Sequence, residues 1–155
     1  MRLAIKLLLV WFTLFGFTIG VWQAVFPASF YADFPGMGHH WVSPDNPYNE
    51  HLLRDVGLGN LAVGTVALVA LLTGVVWVAR AVGLAVVVVD LPHQLYHQVH
   101  VSVLPTTTDQ VLQSGSLAAV SLAAIALVVL AFRVPAAPAP TAPPTTYRAP
   151  APAST

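Results

Sequence analysis

Cysteine is absent from this 155-residue chain. That absence excludes disulfides, thiol nucleophiles, iron–sulfur ligation by Cys and a CxxC redox motif, so any redox chemistry would need a bound cofactor or another subunit. Charge is almost as scarce. Asp, Glu, Lys and Arg make up 8% of the residues, where about 25% is usual in a soluble domain. The formal net charge is zero, which removes any electrostatic reason to expect a nucleic-acid partner.

Apolar sequence is abundant instead, at 57% of the chain. Four runs, approximately Leu7 to Val25, Val56 to Ala79, Ala81 to Leu104 and Ser116 to Phe132, approach or exceed the roughly 20 residues that carry a helix across a bilayer. None alternates with a period of two, as a barrel strand would, and helices and closed barrels are the only backbones that lipid tolerates. The expected fold is all-α: a four-helix transmembrane bundle over residues 1–134, set in a lipid bilayer. A disordered Pro/Ala-rich tail is expected over 135–155, where too little apolar bulk remains to form a core. A proline-motif docking site is the alternative reading of that tail. Leu7 to Val25 is longer than the roughly 7–15-residue core of a signal peptide, so it reads as a retained helix.

Five of the six basic residues (Arg2, Lys6, Arg80, Arg133 and Arg148) fall at the termini and in the connection between the second and third runs. Lys and Arg favour cytoplasmic loops, so a multi-pass cell-membrane protein with both termini in the cytoplasm is expected. The acids and histidines then lie towards the outside, with Arg54 the one basic residue among them. The outer segment from Phe30 to Val42 is dense in aromatics and turn residues, and should fold back on the helix ends. Its aromatics would also suit a bilayer interface.

Two stretches carry candidate chemistry. On the second helix Glu50, Arg54, Gly57, Leu61, Gly64 and Leu68 fall in one stripe at about 100° per residue. Glu50 and Arg54 stand in the favourable i, i+4 order for an ion pair, and Gly57 and Gly64 would let a neighbouring helix approach closely. The pair reads as a structural clasp packed into the bundle or as a ligand-binding group. His51 and Asp55 form a second i, i+4 pair. On the third helix Asp90, His93, His97 and His100 share an arc of about 80°. Asp90 would sit roughly 15 Å along that helix, near mid-bilayer, where a lone charge is expensive. Pro92 should kink the helix just before the histidines.

The histidines admit a hydrogen-bonded cluster, a metal or haem site, or a proton-relay or quinone-type site. Gln94 stands where a zincin HExxH requires Glu, one HxxxH plus His39-His40 is too few for a di-iron centre, and the first and fourth helices offer no His for a bis-His haem. His93 and His97 are therefore expected to line the outer cavity without binding a metal tightly, and the cofactor is left unnamed.

Asn49-Glu50, Arg54, Gly57, Asn60 and Gly64, set in a four-helix layout, resemble the DoxX-like group of small bacterial membrane proteins. The resemblance spans roughly residues 3 to 133 and implies a redox-associated membrane subunit. The long loop from Phe34 to Tyr48 and the HxxxH of the third helix depart from that group. The combined reading is an accessory membrane subunit, paired with a membrane protein partner or with itself. Glu50, Arg54, Asn60, Asp90, His93 and His97 would line one outer-half pocket. A quinone-, haem- or metal-binding oxidoreductase and a small-molecule or lipid transporter are the alternatives. The sequence shows none of the matched broken helices that mark many transporters.

Overall fold

The computed structural model describes residues 1–135 of the chain. Helix α1 spans Leu3–Val25 and a short α2 spans Pro27–Asp33. A small antiparallel hairpin then pairs Pro35–Gly36 (β1) with His39–His40 (β2). Three long helices follow: α3 Glu50–Thr73, α4 Val76–Val99 and α5 Thr107–Phe132, with a 3-10 turn at Val101–Val103 before α5. Helices α1, α3, α4 and α5 are each long and apolar enough to cross a membrane. Apart from Pro135, the tail expected over 135–155 lies outside the described residues.

The helix ends have local causes. Asn49 Oδ1 accepts from the Leu52 N–H at 3.1 Å, and Thr106 Oγ1 accepts from the Asp109 N–H at 3.0 Å, which caps α3 and α5. The Thr106 cap starts α5 well before Ser116, where apolarity alone placed it. Pro27 occupies the first position of α2, where its missing N–H costs nothing. Gly74, at φ 69°, ends α3 in the left-handed conformation that closes many helices.

The break between the second and third spans therefore falls at Gly74-Val75 and not at Arg80. Arg80 lies inside α4 and is only 6% exposed. Its Nε donates to the Ala131 carbonyl at 3.2 Å and its Nη2 to the Val134 carbonyl at 2.6 Å. The guanidinium sits 4.5 Å from the Trp77 ring centroid and 4.8 Å from that of Phe132. A cation here satisfies orphan carbonyls and complements the dipole at the end of α5. Arg80 is a buried helix cap, not a solvated loop charge.

Helix α1 packs chiefly on α3 and α4 chiefly on α5, with lesser contact between the two pairs. The first seam is backbone against backbone. A Cβ added to Gly57 would lie 2.6 Å from Ala24 N, one on Gly20 2.8 Å from Leu61 N, and one on Gly16 2.8 Å from Asn60 O. Gly57 and Gly64 thus mark a close approach, as their stripe implied, and the Gly16/Gly20 pair of α1 is what they meet. The apolar core (Ile5, Leu9, Phe12, Ala67, Val82 and Leu127 among its members) gathers at the end near the termini. Large side chains such as Leu3, Leu72 and Val88 point outwards, as a lipid-facing surface requires.

At the other end the segment from α2 to Trp41 folds back as expected. Trp22, Phe30, Phe34 and Trp41 form a chain of aromatic contacts with centroids 4.5 to 5.9 Å apart. Helix α4 runs on through Pro92 to Val99.

Candidate functional site

The polar side chains at this second end form four groups. The first lies where α3 begins. Arg54 donates from Nε and Nη2 to Glu50 Oε1, at 2.9 and 2.8 Å, and from Nη1 to the Ala24 carbonyl near the end of α1. The pair is a clasp, but a half-exposed one, at 43% for Arg54 and 55% for Glu50. Its expected burial in the bundle is corrected. The stripe through Gly57 already meets Ala24, so the first turn of α3 projects past the end of α1 and meets only the short α2, whose Pro27 and Ser29 border the same groove. Val25, Phe26, Ser29 and Tyr48 join the clasp around a shallow groove of about 280 Å³. Partial burial, and then the Glu50 carboxylate, hold the Tyr48 phenol above its ordinary pKa. Deeper in the same seam, Asn60 Nδ2 donates to Gln23 Oε1 at 2.7 Å. His51 and Asp55 form their expected pair at 3.4 Å on the exposed face of α3.

The second group lies between α4 and α5. Asp90 is 7% exposed. Ser121 Oγ is hydrogen-bonded to Asp90 Oδ2 and lies 2.5 Å from Gln94 Oε1. One hydroxyl proton cannot serve both oxygens. The group closes if a protonated Asp90 donates to Ser121, or if the Gln94 amide is turned so that its Nε2–H donates. Either way the polar burden at Asp90 is met by α5 and not by His93.

The third group is His93 and His97. Their Nε2 atoms are 3.0 Å apart, one donating and the other accepting, with ring centroids at 4.6 Å. His93 is exposed and His97 half-buried. The interior stripe of α4 runs Val82, Val86, Asp90, so His93, some 60° round from Asp90, falls on the outer flank. His100 turns back on its own helix and donates from Nδ1 to the Tyr96 carbonyl at 2.8 Å.

The fourth group centres on Asp109. Its Oδ1 accepts from His39 Nδ1 at 2.6 Å and from Trp41 Nε1 at 2.9 Å, and its Oδ2 accepts from Thr106 Oγ1 at 2.5 Å. The carboxylate ties the hairpin to the start of α5. Sequence reasoning treats Asp109 only as one more outer acid. The signal for it was Thr106-Thr107-Thr108-Asp109, a helix-capping pattern.

The six residues expected around one pocket are thus distributed. Glu50 and Arg54 share the groove, Asn60 turns into the α1–α3 seam, Asp90 faces α5, and His93 and His97 lie on the flank of α4. Gln23 and Ser121 complete the buried pairs from neighbouring helices, which no spacing rule within one helix could have matched, and Gln94 joins Asp90 and Ser121 from the i+4 position of α4. Among the described residues no three His, Asp or Glu side chains converge as metal ligands. No family model, curated protein or solved structure matches the chain.

Proposed function

We propose that this chain is a multi-pass accessory subunit of a membrane assembly, docking its partner through the outer half of α4. The observation that carries the reading is the exposed His93, with His97 beside it, on the flank of a membrane helix. His93 lies roughly 9 Å short of the outer end of α4 at 1.5 Å per residue, still within the depth of a hydrocarbon core. Imidazoles facing lipid there are costly and mark polar surfaces turned towards protein or a cavity. Val89 and Tyr96, both exposed, continue the same flank and supply packing area for a facing helix.

In this reading both termini are cytoplasmic, since Arg2, Lys6, Arg80 and Arg133 lie at that end. The redox association rests on the resemblance of Asn49-Glu50, Arg54, Gly57, Asn60 and Gly64 to DoxX-like proteins. A photo-reactive residue placed at Val89 in cells tests the docking surface. A protein adduct is expected there and none from Leu72, an exposed position on α3. Lipid adducts alone at Val89 would refute the reading. Copurification of an oxidoreductase subunit in mild detergent would support the redox assignment, and visible absorbance in the isolated chain would favour an oxidoreductase instead.

A further inference from the structure

We propose that the partner on this flank is a second copy of the chain, and that the two His93–His97 pairs hold one divalent transition metal between them. The proposal rests on the reading of α4 as a docking surface and names its occupant.

The two Nε2 atoms lie 3.0 Å apart on a continuous helix. Two metal–nitrogen bonds of about 2.0–2.1 Å meeting at roughly 95° span about 3.0 Å, so the pair already has the bite of a chelate. Widening to a tetrahedral angle needs only a few tenths of an ångström. In the metal-free pair one Nε2 carries the shared proton. Metal binding needs both lone pairs, so that proton moves to Nδ1 of the same ring, and neutral imidazole loses no proton in the exchange. Neutral imidazole suits zinc, copper and nickel.

Two ligands leave a site open, and no third converges among the described residues of the chain. Symmetry supplies the rest. Copies inserted with the same orientation close into a symmetric pair only about an axis along the membrane normal. That axis sets α4 against α4 at matched depth, and each residue faces its own counterpart. The two His pairs then oppose each other across the axis and offer four imidazoles, the number that tetrahedral zinc takes. A different partner would have to bring imidazoles to this depth independently, whereas a second copy brings them by construction. The Tyr96 ring packs against both His97 and His100, with centroids at 5.6 and 4.2 Å, and buttresses the chelating edge.

The test uses the untagged full chain in mild detergent, stripped with EDTA and then supplied with Zn2+. A twofold rise in detergent-corrected mass with one zinc per two chains is expected. Both should be lost in His93→Gln and His97→Gln, which keep polar side chains of similar size, and kept in His51→Gln on exposed α3. Zinc bound without dimerisation, or a zinc-bound dimer indifferent to both substitutions, would overturn the proposal. Photo-crosslinking from Val89 separates its failure from that of the docking surface. Adducts to a different protein alone would remove the second copy and leave the surface standing, whereas lipid adducts alone would remove both.

Discussion

Asp109 shows how much one carboxylate can hold at the residue scale. It accepts from His39, Trp41 and Thr106, and its own N–H is taken up by Thr106 Oγ1. Removing it strands an indole N–H and an imidazole N–H under the aromatic cap. Asp109→Ala is expected to cost about 1.5–3 kcal/mol, the range for hydrogen bonds to a charged group. Hydrogen exchange followed by mass spectrometry should show faster exchange over Pro35 to Trp41, with the glycine seam of α1 and α3 unchanged. Unaltered protection of the hairpin would mean that the aromatic stacking alone holds it. The Glu50–Arg54 pair behaves differently. Half-exposed pairs of this kind contribute about 0–1 kcal/mol, so Arg54 matters more for capping the Ala24 carbonyl than for its charge partner.

At the scale of elements, the seam between α1 and α3 depends on missing side chains. Without a hydrophobic force between helices in lipid, close packing is what holds them, and only glycine permits backbones this near. Gly57→Ala would press a methyl group against Ala24 N and Gln23 Cβ, within 2.6 and 2.8 Å. Overpacking of this sort costs about 1–3 kcal/mol. Gly59, two residues further along the same helix and so turned away from that seam, meets nothing within 4 Å. Gly59→Ala should therefore be neutral, or stabilising by up to about 1 kcal/mol through helix propensity. Thermal unfolding of the two variants in detergent separates these outcomes, and an equal response would rule out the seam as drawn. Helix α4 is the least apolar of the four long helices, and its polar residues divide between α5 and the outer flank.

Seen whole, the molecule is two antiparallel helix pairs, each closed at one end by an arginine on the fifth residue of a helix. Arg54 of α3 caps α1 at the end with the aromatic loop, and Arg80 of α4 caps α5 at the end with the termini. If that second end is cytoplasmic, the connection at Gly74-Val75 lies inside and the loop at Asp45 outside. The lack of cysteine makes single-cysteine labelling clean. Asp45→Cys should react with a membrane-impermeant maleimide in intact cells, and Val75→Cys only after permeabilisation. The reverse pattern would invert the topology without touching the fold.

The number of long helices, their apolar character and the close approach at Gly57 and Gly64 were legible in the chain, because lipid restricts the backbone to few forms and glycine is the one residue without a Cβ. Periodicity within a helix also paired His93 with His97 and Glu50 with Arg54, since i, i+4 neighbours meet whatever surrounds them. What surrounds them was settled only by the tertiary structure. The arc shared by Asp90 and His93 is wide enough to straddle an interface, and the rotation of α4 against α5 turns Asp90 to Ser121 while leaving His93 outside. The projection of α3 beyond α1 decides that Glu50 and Arg54 are half-exposed. Contacts such as Asn60 with Gln23 or Asp109 with Trp41 join residues far apart in the chain. A local pattern constrains a residue's neighbours within one helix, whereas burial depends on how helices are turned and staggered against one another.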